Sequence, residues 1–206
     1  MLSSSPASER NKRPILEVLR GEFRDARYVL EIGSGTAQHA AFFAAELPHL
    51  TWQTSDLAEN HDLIRARLNQ GVAPRIKPPL LLDVETFEPP EDLVGDVDAV
   101  FSANTAHIMG MRAVQRMFAL TGKILPIGGK FCLYGPFNFD GEFISDSNAR
   151  FDASLRQRKP TMGIRDIADL DRFAADAGME RVRLYAMPAM NHIAVWQKSS
   201  PGLRQA

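Results

Sequence analysis

Two glycines flanking a serine, in Glu31-Ile-Gly-Ser-Gly35, end the short apolar run Tyr28 to Ile32. With no Cβ at Gly33 or Gly35, such a bend lets main-chain groups come close to a ligand. About 20 residues further on, Asp56 ends the run Thr51 to Ser55, at the spacing of a carboxylate that accepts from both hydroxyls of a ribose. Asp83 follows Leu80-Leu-Leu82 and offers an acceptor to an adenine amino group, while Glu31 adds negative charge beside the bend. A plain tight turn would explain the glycines alone. The strand before them, the helix after them and the acid at the next strand end point instead to a nucleotide-like ligand. Dinucleotide sites carry a third small residue in G-x-G-x-x-G/A, where this chain has Gln38. Several acids without a neighbouring Lys or Arg would repel a diphosphate, so the pattern predicts a cationic ligand.

The elements that position these residues follow from apolar periodicity. Ile15, Leu16, Leu19 and Phe23 recur at helical spacing behind Pro14, which is expected in the first helical turn, and Gly21 weakens the far end. Strand-like runs end at Ile32, Ser55, Leu82, Ser102 and Tyr134. Amphipathic helices come between most of them: Ala37 to Leu47, the stretch with Leu57, Ile64 and Leu68, and the stretch from Met111 to Leu120. A last helix carries Ile167, Leu170, Phe173, Ala174 and Ala177, with Asp166 as N-cap and Gly178 as the left-handed residue beyond it. Alternating buried strands and helices require a mostly parallel sheet covered on both faces, a doubly wound α/β fold. Arg181 to Ala186 and His192 to Gln197 are joined by only five residues, which permits antiparallel pairing alone.

With 206 residues, 45% apolar and 24% charged, the chain has the composition of one globular domain; residues 1–7 and 199–206 lack apolar periodicity and are expected to fray. Lys+Arg 24 against Asp+Glu 25 gives net charge −1, so no global field would hold nucleic acid or an acidic membrane. The single Cys132 favours a reducing compartment, and no apolar run approaches membrane-spanning length, so a cytoplasmic protein is expected. His49, His61 and His192 have no metal-ligand spacing with any Cys, Asp or Glu cluster, and no metal is expected. Gly33-Ser34-Gly35 is not a hydrolase elbow, because its glycines directly flank the serine.

Val29-Leu-Glu-Ile-Gly-Ser-Gly-Thr36 resembles the first motif of class I S-adenosylmethionine-dependent methyltransferases, Asp56 their ribose-binding acid, and Leu81-Leu-Asp-Val84 their adenine-flanking segment. More narrowly, several segments resemble the methyltransferase-like family first catalogued as domain of unknown function 938. These are Ser8-Glu-Arg-Asn-Lys12 with Pro14-Ile-Leu16, Ala103-Asn104 with His107-Ile108, Tyr134-Gly-Pro-Phe137, Ser147-Asn148 with Phe151-Asp152, Leu155-Arg156, Met162-Gly-Ile-Arg-Asp166 and Pro188-Ala-Met-Asn191. The resemblance covers nearly the whole chain. It implies a seven-stranded sheet with an antiparallel final strand and S-adenosyl-L-methionine as cofactor, with no assigned acceptor. On it, Glu31, Gly33, Ser34, Gly35, Thr36, Asp56, Leu57, Asp83 and Val84 hold the cofactor, His39 touches its methionine part or merely packs there, and Arg10 and Asn11, ahead of the first helix, fold over it.

Asn104 and His107 lie where the resemblance implies substrate-facing residues. The Asn104 amide would orient cofactor or acceptor, and His107 would take a proton near neutral pH, or else merely contact the next helix. Asn104-Thr-Ala-His107 lacks the Asn/Asp-Pro-Pro-aromatic signature of methyltransferases acting on amide and nucleic-acid amino groups, which favours a small-molecule acceptor. Tyr134 and Phe137, in an aromatic stretch that runs to Phe139 and Phe143, would wall an acceptor pocket or form a lid core, with Asn148 near them. For Arg150, Arg156, Arg158, Lys159 and Arg165 a solvated helix face is the default reading, and the sharper one makes Arg156 or Arg158 the anchor for a substrate carboxylate or phosphate. Two other functions fit the same motifs: a cofactor-binding sensor or interaction module without turnover, and an NAD(P)-dependent reductase.

Overall fold

The computed structural model describes residues 6–71, 74–91 and 93–200. In chain order the elements are α1 (Pro6–Glu22), β1 (Tyr28–Ile32), α2 (Gln38–Glu46), β2 (Thr51–Asp56), α3 (His61–Leu68), β3 (Ile76–Leu81), β4 (Ala99–Ala103), α4 (Met111–Ile124) and β5 (Lys130–Gly135). They continue with β6 (Phe137–Asn138), α5 (Asp146–Arg158), β7 (Arg165–Asp166), α6 (Ile167–Asp176), β8 (Met179–Met187) and β9 (Asn191–Lys198). Seven strands form one sheet in the order β3-β2-β1-β4-β5-β9-β8. Only β9 is reversed, pairing antiparallel with β5 and with β8. None of the helices among the described residues is long and apolar enough to cross a membrane.

Alternation along the strands builds one core on each face, because successive side chains point to opposite sides of the pleat. Leu30, Val100, Phe131, Leu133 and Trp196 pack with α4 and α6, whereas Val29, Phe101, Cys132, Tyr134 and Val195 pack with α1 and α2. The antiparallel tail and its caps form as the pattern requires: Asp166 Oδ1 accepts from Ala168 N at 2.9 Å, and Gly178 has φ +72°. β3, with two consecutive prolines, sits at the sheet edge, where a missing ladder donor costs least.

Three expectations need correction. Pro14 lies in the middle of α1, which begins at Pro6. The absent Pro14 N–H leaves the Arg10 carbonyl without its helical partner. Burial of Asn11, Ile15, Leu16 and Leu19 against the sheet keeps the segment helical all the same. Arg10 and Asn11 therefore belong to the first helix instead of preceding it. Pro6 and Ala7 are helical as well, while residues 1–5 and 201–206 lie outside the described residues. The solvated reading of the cationic stretch holds: Arg150, Arg156, Arg158 and Lys159 are exposed, while Asn148, Asp152 and Leu155 form the buried face of α5.

α5 rides on an excursion between β5 and α6. The two-residue strands β6 and β7 pair in parallel and close its neck, aligning Phe137 with Arg165 and Asn138 with Asp166. Asp166 Oδ2 accepts from Gly141 N at 2.6 Å, and Ser145 caps α5. On the opposite side of the sheet from α1, α4 and α6 meet at Gly122. A Cβ there would lie 2.3 Å from the Ala177 carbonyl oxygen and 2.7 Å from its Cβ. Gly122→Ala should therefore lower stability by roughly 1–3 kcal/mol despite the better helix propensity of alanine, read as a lower urea midpoint with an unchanged slope.

Candidate active site

Strand order reverses between β1 and β4, and open parallel sheets leave a crevice at such a switch point, beyond the carboxyl ends of the strands. A crevice of about 820 Å³ opens there. Its lining brings together the predicted residues Arg10, Asn11, Gly33, Ser34, Gly35, Thr36, His39, Asn104, His107, Tyr134 and Asn148. The β1 bend forms its floor. Gly33 N and Ser34 N both donate to Ser55 O, at 3.1 and 2.9 Å. Gly33 has φ +76°, and a Cβ on it would lie 2.6 Å from the Thr105 methyl. Gly35, with φ +57°, would project its Cβ into open space. One glycine is thus required by packing and by conformation, the other by conformation at a bend that faces the crevice.

The predicted ring of acids is not what lines this crevice. Glu31 points away from it and is only 2% exposed; its Oε2 accepts from Ser34 Oγ at 2.7 Å and Trp52 Nε1 at 3.2 Å. Burial pushes its carboxyl up to about 7, against the pull of those two donors. Glu31 is a brace behind the bend and no full negative charge in front of it. Asp56, Leu57, Asp83 and Val84 also lie outside the lining, at the β2 and β3 ends, where Leu82 N donates to Asp56 O at 3.0 Å. Arg10 is the one charged residue among the described lining, and Arg67, remote in sequence, donates to Thr36 O at 2.6 Å. The expectation of a basic-free bend reflects sequence neighbours only.

Asp56 is tied into the bend. Its Oδ2 accepts from Gly35 N at 2.7 Å, and its Oδ1 accepts from Leu57 N at 2.7 Å and Asn60 Nδ2 at 2.8 Å. A carboxylate offers about four acceptor sites. Three are used, so one remains for a ligand hydroxyl unless Gly35 or Asn60 gives way; a two-handed grip on both hydroxyls is not available as it stands. Leu57, 41% exposed, presents an apolar surface next to this carboxylate. Asp83 Oδ1 accepts from Glu85 N at 2.9 Å.

On the α1 side of the crevice a polar contact ties two helices. His39 of α2 donates from Nε2 to Asn11 Oδ1 of α1 at 2.7 Å, and Tyr134 of β5 lines the crevice with them. His39 stacks on Phe43 at 5.4 Å, and burial drives its pKa down to about 4. Gln38 takes the direction opposite to a dinucleotide motif's small residue: its Nε2 donates to Glu9 Oε1 at 2.7 Å and holds α1 down.

On the far side stand Asn104 and His107. Asn104 closes β4 with φ +60°, a strained conformation that Asn tolerates better than most residues. Its N–H donates to Tyr134 O at 2.9 Å. His107 is buried against Phe151, ring centroids 5.3 Å apart. Burial first, then the Arg165 and Arg158 charges, hold it down to about 4. It is therefore held as a neutral imidazole at physiological pH, which speaks against its taking a proton near neutrality. Arg165 fixes the turn that carries it, donating to the carbonyls of Ala106, Met109 and Thr161, and Gly163 N donates to His107 O at 2.9 Å.

Two predicted substrate residues do not reach the crevice. Arg156 pairs with Asp152 at 2.6 Å within α5, and Asp152 also accepts from Ile164 N at 2.7 Å, so the carboxylate clamps α5 to the loop before β7 and the arginine neutralises it. Phe137 is fully buried in the core; its neighbour Pro136 lines the crevice in its stead. Lining residues missed by the sequence reading include Gln38, Phe151, Ala189 and Asn191. For Asn191 the available signal was its place in the short connection Met187 to Asn191, in which Ala189 and Met190 both have positive φ. No group of three or more His, Cys, Asp or Glu side chains that could hold a metal ion occurs among the described residues.

Solved structures share this architecture. The S-adenosylmethionine-dependent methyltransferase SibL, in its apo form, superposes with a TM-score of 0.76 at 19% identity over 94% of this chain and 56% of its own. An O-methyltransferase family protein from Burkholderia thailandensis gives 0.77 at 19% identity, over 92% of this chain and 57% of its own. PigF with SAH gives 0.75 at 17% identity, over 90% and 61%. The chain thus spans 56–61% of the length of these three structures. At such identities the likeness is one of fold, and the fold is that of class I S-adenosylmethionine-dependent methyltransferases. The chain itself belongs to the family described as "Protein of unknown function (DUF938)", whose model matches residues 2–198.

The buried brace makes a prediction about pH. A carboxyl raised from 4.5 to about 7 in the folded state binds more protons folded than unfolded. Its contribution is therefore full below 4.5 and declines as pH rises to 7. Glu31→Gln removes this dependence. Wild-type stability relative to that variant should fall by up to about 3 kcal/mol between pH 4.5 and 7 and stay flat outside that window, measured by urea unfolding at stepped pH.

Proposed function

We propose that the protein is an S-adenosyl-L-methionine-dependent methyltransferase acting on a small molecule. The observation that supports this most is the junction at the switch point: a bare-backbone bend at Gly33 and Gly35 faces Asn104 across one crevice, with the Asp56 carboxylate bonded to the back of the bend. The residues fit such a cofactor. Open space where a Gly35 Cβ would stand lets an adenosyl group lie against the main chain, Asp56 keeps one acceptor site for a ribose hydroxyl, and exposed Leu57 offers an apolar surface to a purine. Asp83 and Val84 would flank the base beside it. Arg10, the lone charge in the lining, suits the carboxylate of the methionine part, with Ser34, Thr36, His39 and Asn11 around it.

When bound, S-adenosyl-L-methionine supplies a methyl group on a positively charged sulfur, which passes in line to a nucleophilic atom. The chain's own task is then alignment and exclusion of water. Asn104, held at a strained strand end, offers its amide to the reacting partners without competition, since its side chain has no partner among the described residues. His107, kept neutral, can accept a hydrogen bond from an acceptor hydroxyl or N–H but is too weak a base to hold the released proton at pH 7. That proton would leave through solvent. Phe151 and α5 close the crevice over this end.

The diphosphate of an NAD(P) cofactor fits less well, because Gln38 and Glu9 occupy the position where the third small residue of that motif would be needed. Calorimetry tests the reading: S-adenosylhomocysteine should bind and raise the unfolding temperature, and NAD(P) should do neither. Asp56→Ala should weaken S-adenosylhomocysteine about 10- to 100-fold, the loss of a charge-assisted hydrogen bond and of the anchored bend. Equal affinity in the variant would refute the assignment of this carboxylate.

A further inference from the structure

The wall of the crevice opposite the β1 bend is built from α5 and the β8–β9 turn, and it presents Ser147, Asn148, Phe151, Pro188, Ala189 and Asn191. It carries no formal charge, and Arg10 stands on α1, on the other side. The two asparagines of this wall have a defined polarity. Asn148 Nδ2 donates to Met190 O at 3.3 Å, and Asn191 Nδ2 donates to Pro188 O at 3.3 Å and Ala189 O at 3.1 Å. A main-chain carbonyl can only accept, so the amide nitrogens must face these oxygens and the flip of each side chain is settled by its partner.

The amide oxygens are what remains. Neither Asn148 Oδ1 nor Asn191 Oδ1 has a partner among the described residues, and neither is a sealed, unsatisfied atom of the kind that Asn138 Oδ1 is. Asn148 is only 6% exposed, and it lines the crevice, so its small open surface lies there. The bond to Met190, the residue before Asn191, joins α5 to the β8–β9 turn, so both asparagines stand on the same wall. Asn148 is buried and Asn191 partly exposed, and acceptors left open on an uncharged wall are satisfied by donors, from solvent or from a ligand. A carboxylate or phosphate would meet them lone pair to lone pair.

From this we infer that the acceptor is an uncharged small molecule with hydroxyl or N–H donors, read by the carbonyl oxygens of Asn148 and Asn191. Phe151, Pro136 and Pro188 supply flat apolar surface in the same crevice, which suits a ring bearing the donors. The inference builds on the methyltransferase reading for its word "acceptor", but the wall's preference can be measured apart from it.

The test uses three fragments, catechol, 1,2-dimethoxybenzene and benzoate, titrated by ligand-observed NMR into the full chain with and without saturating S-adenosylhomocysteine. Catechol should bind roughly 5- to 10-fold more tightly than its dimethyl ether and than benzoate, the worth of one or two hydrogen bonds. Asn191→Ala, on an exposed turn, should erase that difference and leave S-adenosylhomocysteine affinity unchanged; Asn148→Ala should do the same if α5 stays folded by circular dichroism. Equal binding of the three fragments, including no binding by any, overturns the inference, as does a preference for benzoate or a catechol preference that survives Asn191→Ala. Failure to bind S-adenosylhomocysteine would instead strike the proposed function, since the fragment comparison is also made without it.

Discussion

The site depends on how the last peptide groups of β1 are satisfied. A parallel ladder ends where its strand bends away, and the polar atoms there need partners that leave the bend itself open. Hydroxyls from both neighbouring strands supply them. Ser55 Oγ of β2 donates to Glu31 O at 2.6 Å, and Ser102 Oγ of β4 donates to Ile32 O at 2.7 Å. Ser102 and Thr105 share a further bond at 2.7 Å, and the Thr105 methyl then fills the space that a side chain on Gly33 would need. The bend is gripped from left and right and capped from above, so its remaining surface can face only the crevice. That grip joins the glycine bend to the Asn104–His107 turn, the two halves of the candidate site.

Charge is arranged differently from the simplest reading of a cationic ligand site. An acid in front of the bend would attract a sulfonium in water, yet a carboxylate in a half-closed crevice loses hydration of its own. Here the acid is set behind the bend, shielded and largely uncharged near neutrality, where it orients Ser34 and Trp52. The crevice is left to neutral dipoles: Asn104, Asn148, Asn191, two un-ionised imidazoles and Tyr134. Under the proposed function, such dipoles would face a charge that is present before the transfer and lost after it. The single cation, Arg10, is free to meet an anion at the edge.

The fold was legible from the chain because strand and helix periods alternate clearly and because the short connection between β8 and β9, three residues in the structure, allows only a hairpin. The glycine bend, Asn104, His107, Tyr134 and Asn148 were legible too, since the ends of parallel strands converge by topology. What failed concerns depth and direction. Glu31 and Phe137 differ from crevice residues only in which side of a strand they occupy, and a bend or a two-residue strand resets that parity. Arg156 reads as a free cation until its i−4 neighbour Asp152 is considered; that helical spacing was visible, and it already offered the pair. Pro14 reads as a helix start, because propensity says nothing of the tertiary burial that carries α1 through it. Arg10 and Arg67 reach the bend across gaps in sequence that local composition does not register.

The two walls of the crevice have different origins, and this bears on how such a site can change. The bend, Asp56 and Asn104 sit on strands of the central sheet, where a shift of one residue would turn buried side chains outward. The opposite wall comes from the α5 excursion and the β8–β9 turn, segments pinned at their bases by β6–β7, by Arg165 and by the Asp152–Arg156 pair. Those pins hold main chain: Arg165 binds three carbonyls, and Asp152 holds the Ile164 N–H. Side chains between the pins, among them Asn148, Phe151 and Asn191, are left free of structural duty on their crevice side. The sheet therefore constrains how a donor would be held, whereas the pinned loops could exchange the groups proposed to read an acceptor without disturbing the strands beneath them.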